Sequence, residues 1–376
     1  MIRKILIDAR MYGLENAGIG RYLINLIDGL KALDREDNYL VLLRNKYFNE
    51  LNFPSNWKKI EADFRHYTFQ EQFKLPGIID AEKPDLVHFP HLNIPIFWKG
   101  KYVLTVHDLT MQRQGINATA LAVPFYVFKR IPFLFTAKLA VKYAMKIIVP
   151  SQSVKRDVVS YYPIDPVRVQ VVYEGLTELS SKSKTENSKL LKYGLHKPYF
   201  VYIGNAYPHK NLEKAVEAVN LVNKDSQKEV LLAIGGRRDV FKQRLEGEVQ
   251  KLGAEKFVKL LGYIPEEDLS LIYKYSSGFV YPSLSEGFGL QGLEAMAAGT
   301  LVLASDIPVF KEIYGDFAFY FDPKDASSIS ASMRYVLDLE DVKKEQFIRK
   351  SQEFIKKYSW SNMAKETLKV YKEILV

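Results

Sequence analysis

The chain has 376 residues, 47% hydrophobic and 26% charged. That balance excludes a disordered chain and, at about 150 residues per domain, implies two domains with cores of their own. It contains no cysteine, which excludes a disulfide scaffold, a thiolate-bound metal and a cysteine nucleophile. The net charge of +9 is uneven: eight of the 53 basic residues lie between Asp108 and Asp157 with no acid among them, leaving 45 basic against 44 acidic residues elsewhere.

The N-terminus, MIRKILIDAR, fits only Ile5, Leu6 and Ile7 between Lys4 and Asp8, too few for a signal-peptide core, and reads as a first strand over 2–8. A helical pattern follows from Gly20 to Leu33, then apolar runs at 39–44, 85–89 and 102–107. The acid-free segment comes next. Its longest uncharged stretch, Gln114 to Phe128, holds 15 residues, short of the ~20 a membrane-spanning helix needs. Phe125, Tyr126, Phe128, Phe133, Leu134, Phe135 and Tyr143 interleave there with Arg113, Lys129, Arg130, Lys138, Lys142, Lys146, Lys155 and Arg156. Two readings stand: a surface for anionic lipid headgroups, or a core helix with a solvated basic face. Nucleic acid is a weaker third, since no stacking platform or zinc-finger pattern accompanies the charge.

Further runs at 145–149 and 168–173 complete a first series. Leu176 to Lys197, with SSKSKTENSK at its centre, suits an exposed linker and is poor material for a strand. A second series follows at 199–204, 229–234, 257–262, 278–282, 300–304 and 317–321, with helical patterns at Asn211–Val222 and Gly289–Ala298. Several runs are continuous rather than alternating, as expected of parallel strands covered on both faces. The pattern is α/β, wound twice. The domains expected are 1–175, a linker at 176–197, 198–355, and a terminal helix over 356–376 that packs back on the first domain. The tail from Asp341 is helical, with Trp360, Met363, Leu368, Tyr371 and Ile374 spaced for one apolar face.

The string from Phe279 to Gly299, FVYPSLSEGFGLQGLEAMAAG, carries the most chemistry. A buried strand ends at Pro282, a glycine loop follows, and a helix begins near Gly289. Glu286 then sits at the loop tip and Glu294 on an early helical turn. Helix-start amides and the positive dipole end suit a diphosphate, while flanking carboxylates accept hydrogen bonds from sugar hydroxyls. Phosphate beside sugar points to a nucleotide-sugar. Read singly, each glutamate is an ordinary helix-start acid.

This string resembles the glutamate-X7-glutamate signature of retaining glycosyltransferases of family 4, which have the GT-B fold of two Rossmann-like doubly wound parallel-sheet domains facing a central cleft. IDARMYGLENAGIGRY, VHDL, VPSQSVKRDV, YIGNAYPHKNLEKAVEAV, LLGYIPEEDLSLIY and a terminal YSW-containing helix agree in order. The branch of similar members contains bacterial mannosyltransferases of O-antigen and exopolysaccharide synthesis. The resemblance implies that Glu294 holds the ribose and that Glu286 contacts the donor sugar near its transferred carbon. Gly287, Phe288, Gly289 and Leu290 would present backbone donors, and Lys210 would neutralise the departing diphosphate. The branch usually has Arg where His209 stands, and a neutral imidazole does not replace a bidentate guanidinium. Either Lys210 acts there with another cation, Arg237 or Arg238 after Gly235-Gly236, or phosphate binding is weaker. From the first domain, Gly18 and Gly20 would form a loop facing the diphosphate, and His107 would reach the donor sugar. A strand-end histidine alone is more often structural, and Asp108 beside it can instead cap the next segment. Tyr263 and Ile264 stand where the family holds the base through backbone groups.

No Asp-X-Asp motif occurs, so no metal or other cofactor is expected. The implied donor is GDP-mannose, with UDP- or dTDP-sugars as alternatives. The implied acceptor is a glycan or polyprenyl-linked glycan. The implied place is the cytoplasm, peripheral on the inner face of the cytoplasmic membrane through 109–156. A nucleotide-sugar epimerase and a non-catalytic nucleotide-sugar-binding module are the competing readings.

Overall fold

The computed structural model describes residues 2–113, 123–176, 190–196, 198–225, 229–236 and 240–376. These fall into two compact units. The first holds 2–113, 123–175 and 358–376; the second holds the described residues from 176 to 357.

In the first unit, β1 (Lys4–Asp8), β2 (Asn38–Leu43), β3 (Trp57–Glu61), β4 (Leu86–Phe89), β5 (Tyr102–Thr105), β6 (Lys146–Val149) and β7 (Val169–Val171) make one parallel sheet. Its strand order is β3-β2-β1-β4-β5-β6-β7. The continuous apolar runs arise because successive residues of a strand feed opposite faces and both faces are covered. Ile5 and Ile7 pack with Tyr22, Leu26 and Leu30 of the helix Ala17–Leu33, whereas Leu6 packs with Leu75, Ile79 and Val141 on the other side. The edge strand β3 has no counterpart among the apolar runs of the sequence. Trp57-Lys-Lys-Ile-Glu61 brings only Trp57 and Ile60 to the core and leaves charges facing out, which also guards the open edge.

The second unit repeats the winding. Its strands are β8 (Tyr199–Ile203), β9 (Leu231–Gly235), β10 (Val258–Gly262), β11 (Gly278–Tyr281), β12 (Val302–Ser305) and β13 (Phe319–Phe321). All pair in parallel, in the order β10-β9-β8-β11-β12-β13. In each sheet the winding reverses once, between β1 and β4 and between β8 and β11. At such switch points the loops leaving the carboxyl ends diverge and open a crevice for ligands.

The tail from Asp341 is two helices. Asp341–Ile355 belongs to the second unit and Trp360–Leu375 to the first. The latter starts where Ser359 accepts a hydrogen bond from Asn362 N at 3.1 Å. It buries Met363, Leu368 and Tyr371 among side chains of the helix Ala17–Leu33, with Trp360 and Ile374 partly buried. Tyr371 Oη lies 2.5 Å from His88 Nδ1, and His88 Nε2 lies 2.7 Å from Thr105 Oγ1, so the terminal helix is keyed into the sheet by a buried polar chain. Among the described residues, no helix is long and apolar enough to cross a membrane.

Candidate active site

The second switch point carries the residues that the sequence singled out. After β11 the chain runs through Pro282–Gly289 and enters the helix Leu290–Ala297. Gly289 makes the turn with φ 94° and ψ 46°, a left-handed conformation open to glycine at little cost. A Cβ there would stand 2.3 Å from Tyr314 Oη. That hydroxyl donates to Gly289 O at 2.6 Å, so Tyr314 both fills the space beneath the turn and fixes it. Phe288 and Glu294 are buried, whereas Glu286, Gly287 and Leu290 are partly exposed.

After β8 the chain reaches a 3-10 turn, Pro208–Lys210, closed by Asn211 in the left-handed region. Asn211 Nδ2 donates to Pro282 O at 3.0 Å and to Pro323 O at 2.7 Å, and Leu284 N donates to His209 O at 2.8 Å. These bonds stitch the two loops together. They bring Lys210 Nζ within 2.6 Å of Glu286 Oε1, which also accepts from Ser283 Oγ at 2.7 Å. The ammonium lies 5.9 Å from the centre of the Tyr281 ring. Burial, with the charge of Glu286 added, pushes the Tyr281 phenol well above its ordinary pKa, so it stays protonated.

Other candidates divide. Ile264 is buried beside Gly235, its Cδ1 2.3 Å from where a Gly235 Cβ would stand, while Tyr263 is exposed. His209 stacks on Tyr207 with ring centroids 5.9 Å apart. Arg237 and Arg238 lie outside the described residues.

In the first unit one expectation is corrected. Gly18 and Gly20 do not form a loop; both lie in the opening turns of the helix Ala17–Leu33. Ala17, at φ 52°, ends the 3-10 turn Leu14–Asn16, and the helix begins there. Gly20 is glycine because a Cβ would meet Gly13 O at 1.8 Å, whereas Gly18 has nothing within 4 Å. His107, two residues past β5, lies with Nδ1 3.2 Å from Glu174 Oε1 and packs edge-to-face on Tyr22. Asp108 Oδ1 accepts from Thr110 N at 2.7 Å, capping Thr110–Arg113.

The sequence also missed a buried network at the first switch point. Arg10 donates through Nε to Asp8 Oδ1 at 2.8 Å, and through Nη2 to Asp8 Oδ2 and Glu71 Oε1, both at 2.7 Å. Glu71 further holds His66 Nδ1 at 3.0 Å, Tyr67 N at 2.8 Å and the Asn93 amide. Burial alone would raise the Asp8 pKa, but the Arg10 charge and hydrogen bonds outweigh it and hold Asp8 well below the carboxylate range. Burial drives His91 well down. Among the described residues Asp8, His66 and His91 are spaced to hold a metal ion. Arg10 already occupies both Asp8 oxygens, and a guanidinium there opposes a second cation.

Two family models match. Glycosyl transferases group 1 covers residues 183–354 and Glycosyltransferase Family 4 covers residues 17–177. The chain belongs to the family 4 glycosyltransferases. This glycosyltransferase is 25% identical over 374 residues to the O-antigen chain mannosyltransferase RfbU of Salmonella typhimurium, covering 96% of this chain and 97% of that one. Its fold matches sucrose-phosphate synthase from Thermosynechococcus elongatus, with TM-score 0.77, 18% identity and 99% of each chain covered. It also matches Anabaena Alr3699/HepE, solved with UDP and glucose, with TM-score 0.75, 17% identity and 99% and 100% of the two chains covered. The two Rossmann-like units of this glycosyltransferase are those of the GT-B fold.

Proposed function

We propose that this glycosyltransferase moves mannose from GDP-mannose, with retention of anomeric configuration, to a glycan or polyprenyl-linked glycan acceptor in the synthesis of a cell-surface polysaccharide. The observation that carries the donor reading is the Lys210–Glu286 pair beside the glycine turn that opens the helix Leu290–Ala297. An ammonium and the amides of a helix start are groups suited to a diphosphate. A carboxylate stands beside the place of the transferred sugar.

In this reading, donor binding draws Lys210 from Glu286 onto the diphosphate. Lys210 stabilises charge as the leaving group departs, and the freed Glu286, still held by Ser283, accepts hydrogen bonds from sugar hydroxyls. Glu294 holds the ribose. Gly287, Phe288, Gly289 and Leu290 offer backbone N–H groups, and Ile264 lies beside the base. His107, oriented by Glu174, contacts the donor sugar. Retention needs no enzymic nucleophile here: the departing phosphate takes up the acceptor proton as the acceptor enters from the same side. With Lys210 neutralising the leaving group, transfer proceeds without a metal and in the cytoplasm.

Mannose and the polysaccharide acceptor rest on the likeness to the O-antigen chain mannosyltransferase, and the UDP complex of Alr3699/HepE favours a UDP-sugar as the second reading. Slow hydrolysis across GDP-, UDP- and dTDP-sugars, with and without chelator, tests the whole reading. Release of sugar from GDP-mannose as the α-anomer is expected. Epimerised donor, or binding without turnover, would replace transfer by the epimerase or the binding module.

A further inference from the structure

The surroundings of His107 decide which of its ring nitrogens carries the proton. Nδ1 lies 3.2 Å from Glu174 Oε1, and an ionised carboxylate only accepts, so Nδ1–H is the donor. In the neutral ring that leaves Nε2 with a bare lone pair. Nε2 is buried and has no hydrogen-bond partner among the described residues. Buried polar atoms are nearly always paired, because leaving one unpaired costs free energy. His107 therefore presents an acceptor whose donor the chain does not itself supply.

The terminal helix reaches this pair by two routes. On the ring side, Tyr22 packs edge-to-face on His107 with ring centroids 4.9 Å apart. The Tyr22 hydroxyl lies 3.1 Å from Thr105 Oγ1, and the chain of contacts continues through His88 to Tyr371 of the terminal helix. On the carboxylate side, Glu174 is buried three residues after β7. The next residue, Gly175, comes so close to the start of the terminal helix that a Cβ there would stand 2.1 Å from Trp360 N. Only glycine permits that approach without displacing backbone. Both groups that orient the imidazole are thus seated against one helix, and all of these contacts lie within the first unit.

We propose that Glu174 is a positioning residue that locks His107 in the Nδ1–H tautomer, seated by the terminal helix, so that Nε2 selects a donor sugar bearing a hydroxyl where it faces the ring. This rests on the reading of His107 as a contact of the donor sugar and adds a selection rule to it. A hydroxyl donates its proton to the bare nitrogen, whereas a sugar lacking that one hydroxyl leaves Nε2 buried and unpaired. With the other tautomer the ring would donate instead, and the preference would be lost.

The test joins NMR of the histidine ring nitrogens in the full chain to hydrolysis of GDP-mannose and its monodeoxy forms. In the neutral wild-type ring, the resonances that vanish in His107→Ala are expected to show Nδ1 protonated and Nε2 bare. One monodeoxy donor is expected to be hydrolysed about tenfold or more slowly than GDP-mannose. Glu174→Met keeps the length of the side chain without its acceptor. It is expected to move the proton to Nε2, to lower turnover of GDP-mannose about tenfold with GDP affinity unchanged, and to erase the discrimination against the deoxy donor. Gly175→Ala removes no group of the pair and is expected to lower turnover about threefold by displacing Glu174. Circular dichroism and GDP affinity matching the wild type show that the variants fold. A wild-type His107 protonated on Nε2, or a Glu174→Met variant with unchanged tautomer and discrimination, would overturn the proposal and leave the donor reading standing. Wild-type turnover in His107→Ala would overturn both, and unchanged turnover in Gly175→Ala would overturn the part given to the terminal helix.

Discussion

The two switch points of this protein use ion pairs in opposite ways. At the first, Arg10 is completely enclosed, bridges Asp8 and Glu71, and brings in His66 and Asn93 through Glu71, so every charge has a fixed partner. At the second, Lys210 and Glu286 make a single contact, remain 14% and 11% exposed, and stand beside a glycine turn. A closed network braces the loops that leave a sheet, whereas a one-to-one pair at the edge of solvent can exchange its partner for a ligand. The same winding thus supports a closed brace in one unit and an open, exchangeable pair in the other.

The largest effect should come from breaking the brace. Arg10→Met leaves two buried carboxylates without their cation and is expected to cost about 3–5 kcal/mol in urea unfolding. A loss below about 1 kcal/mol would remove the contrast between the two sites. At the second site the same kind of change should spare the fold and remove function: Lys210→Ala and Glu286→Ala are each expected to lower turnover about 10²–10³-fold with unfolding midpoints near the wild type. Wild-type turnover in either variant would refute the roles given to them.

Acid should act on the first unit. Burial, with His107 adding, pushes His88 down to about 3, so His88 stays neutral in the folded chain while the unfolded chain takes up a proton near its ordinary value of 6.5. Stability present above pH 6.5 is therefore lost as pH falls toward 3, by about 2 kcal/mol between pH 6.5 and pH 5. Asp8, depressed by Arg10, adds its own loss only at still lower pH, below the ordinary carboxylate pKa. Urea midpoints that do not move between pH 7 and pH 5 would contradict the buried neutral His88. The smallest effect sharpens the second site. Tyr314→Phe keeps the ring but removes the bond to Gly289 O, about 1 kcal/mol, and should weaken nucleotide binding a few-fold by calorimetry without changing the melting temperature by more than a few degrees.

Much of this was legible in the sequence, for identifiable reasons. Parallel strands covered on both faces write themselves as apolar runs, and a glycine loop between an apolar strand and an apolar helix marks the strand–turn–helix junction at Gly289. What escaped depends on long-range contacts. Edge strand β3 needs only two inward residues and so resembles a charged loop. The helix Ala17–Leu33 absorbs Gly18 and Gly20 because close approach of Gly13 O, not a loop, demands the second glycine. Asn211 reaches Pro282 and Pro323 across 71 and 112 residues, a spacing no local pattern carries. Ser283, three residues before Glu286, also went unread, although a hydroxyl at that spacing within a tight loop can bond the carboxylate. Tyr314, Glu174 and the partners of Arg10 left no signal of their own.

The central claim, that Lys210 and the amides opening the helix at Leu290 grip a diphosphate, is tested most directly by calorimetric titration of wild type and Lys210→Ala with a nucleoside diphosphate and with the same nucleoside. The account predicts that the substitution weakens the diphosphate about tenfold or more and leaves the nucleoside nearly unchanged. Equal loss for both ligands, or none for either, would contradict it.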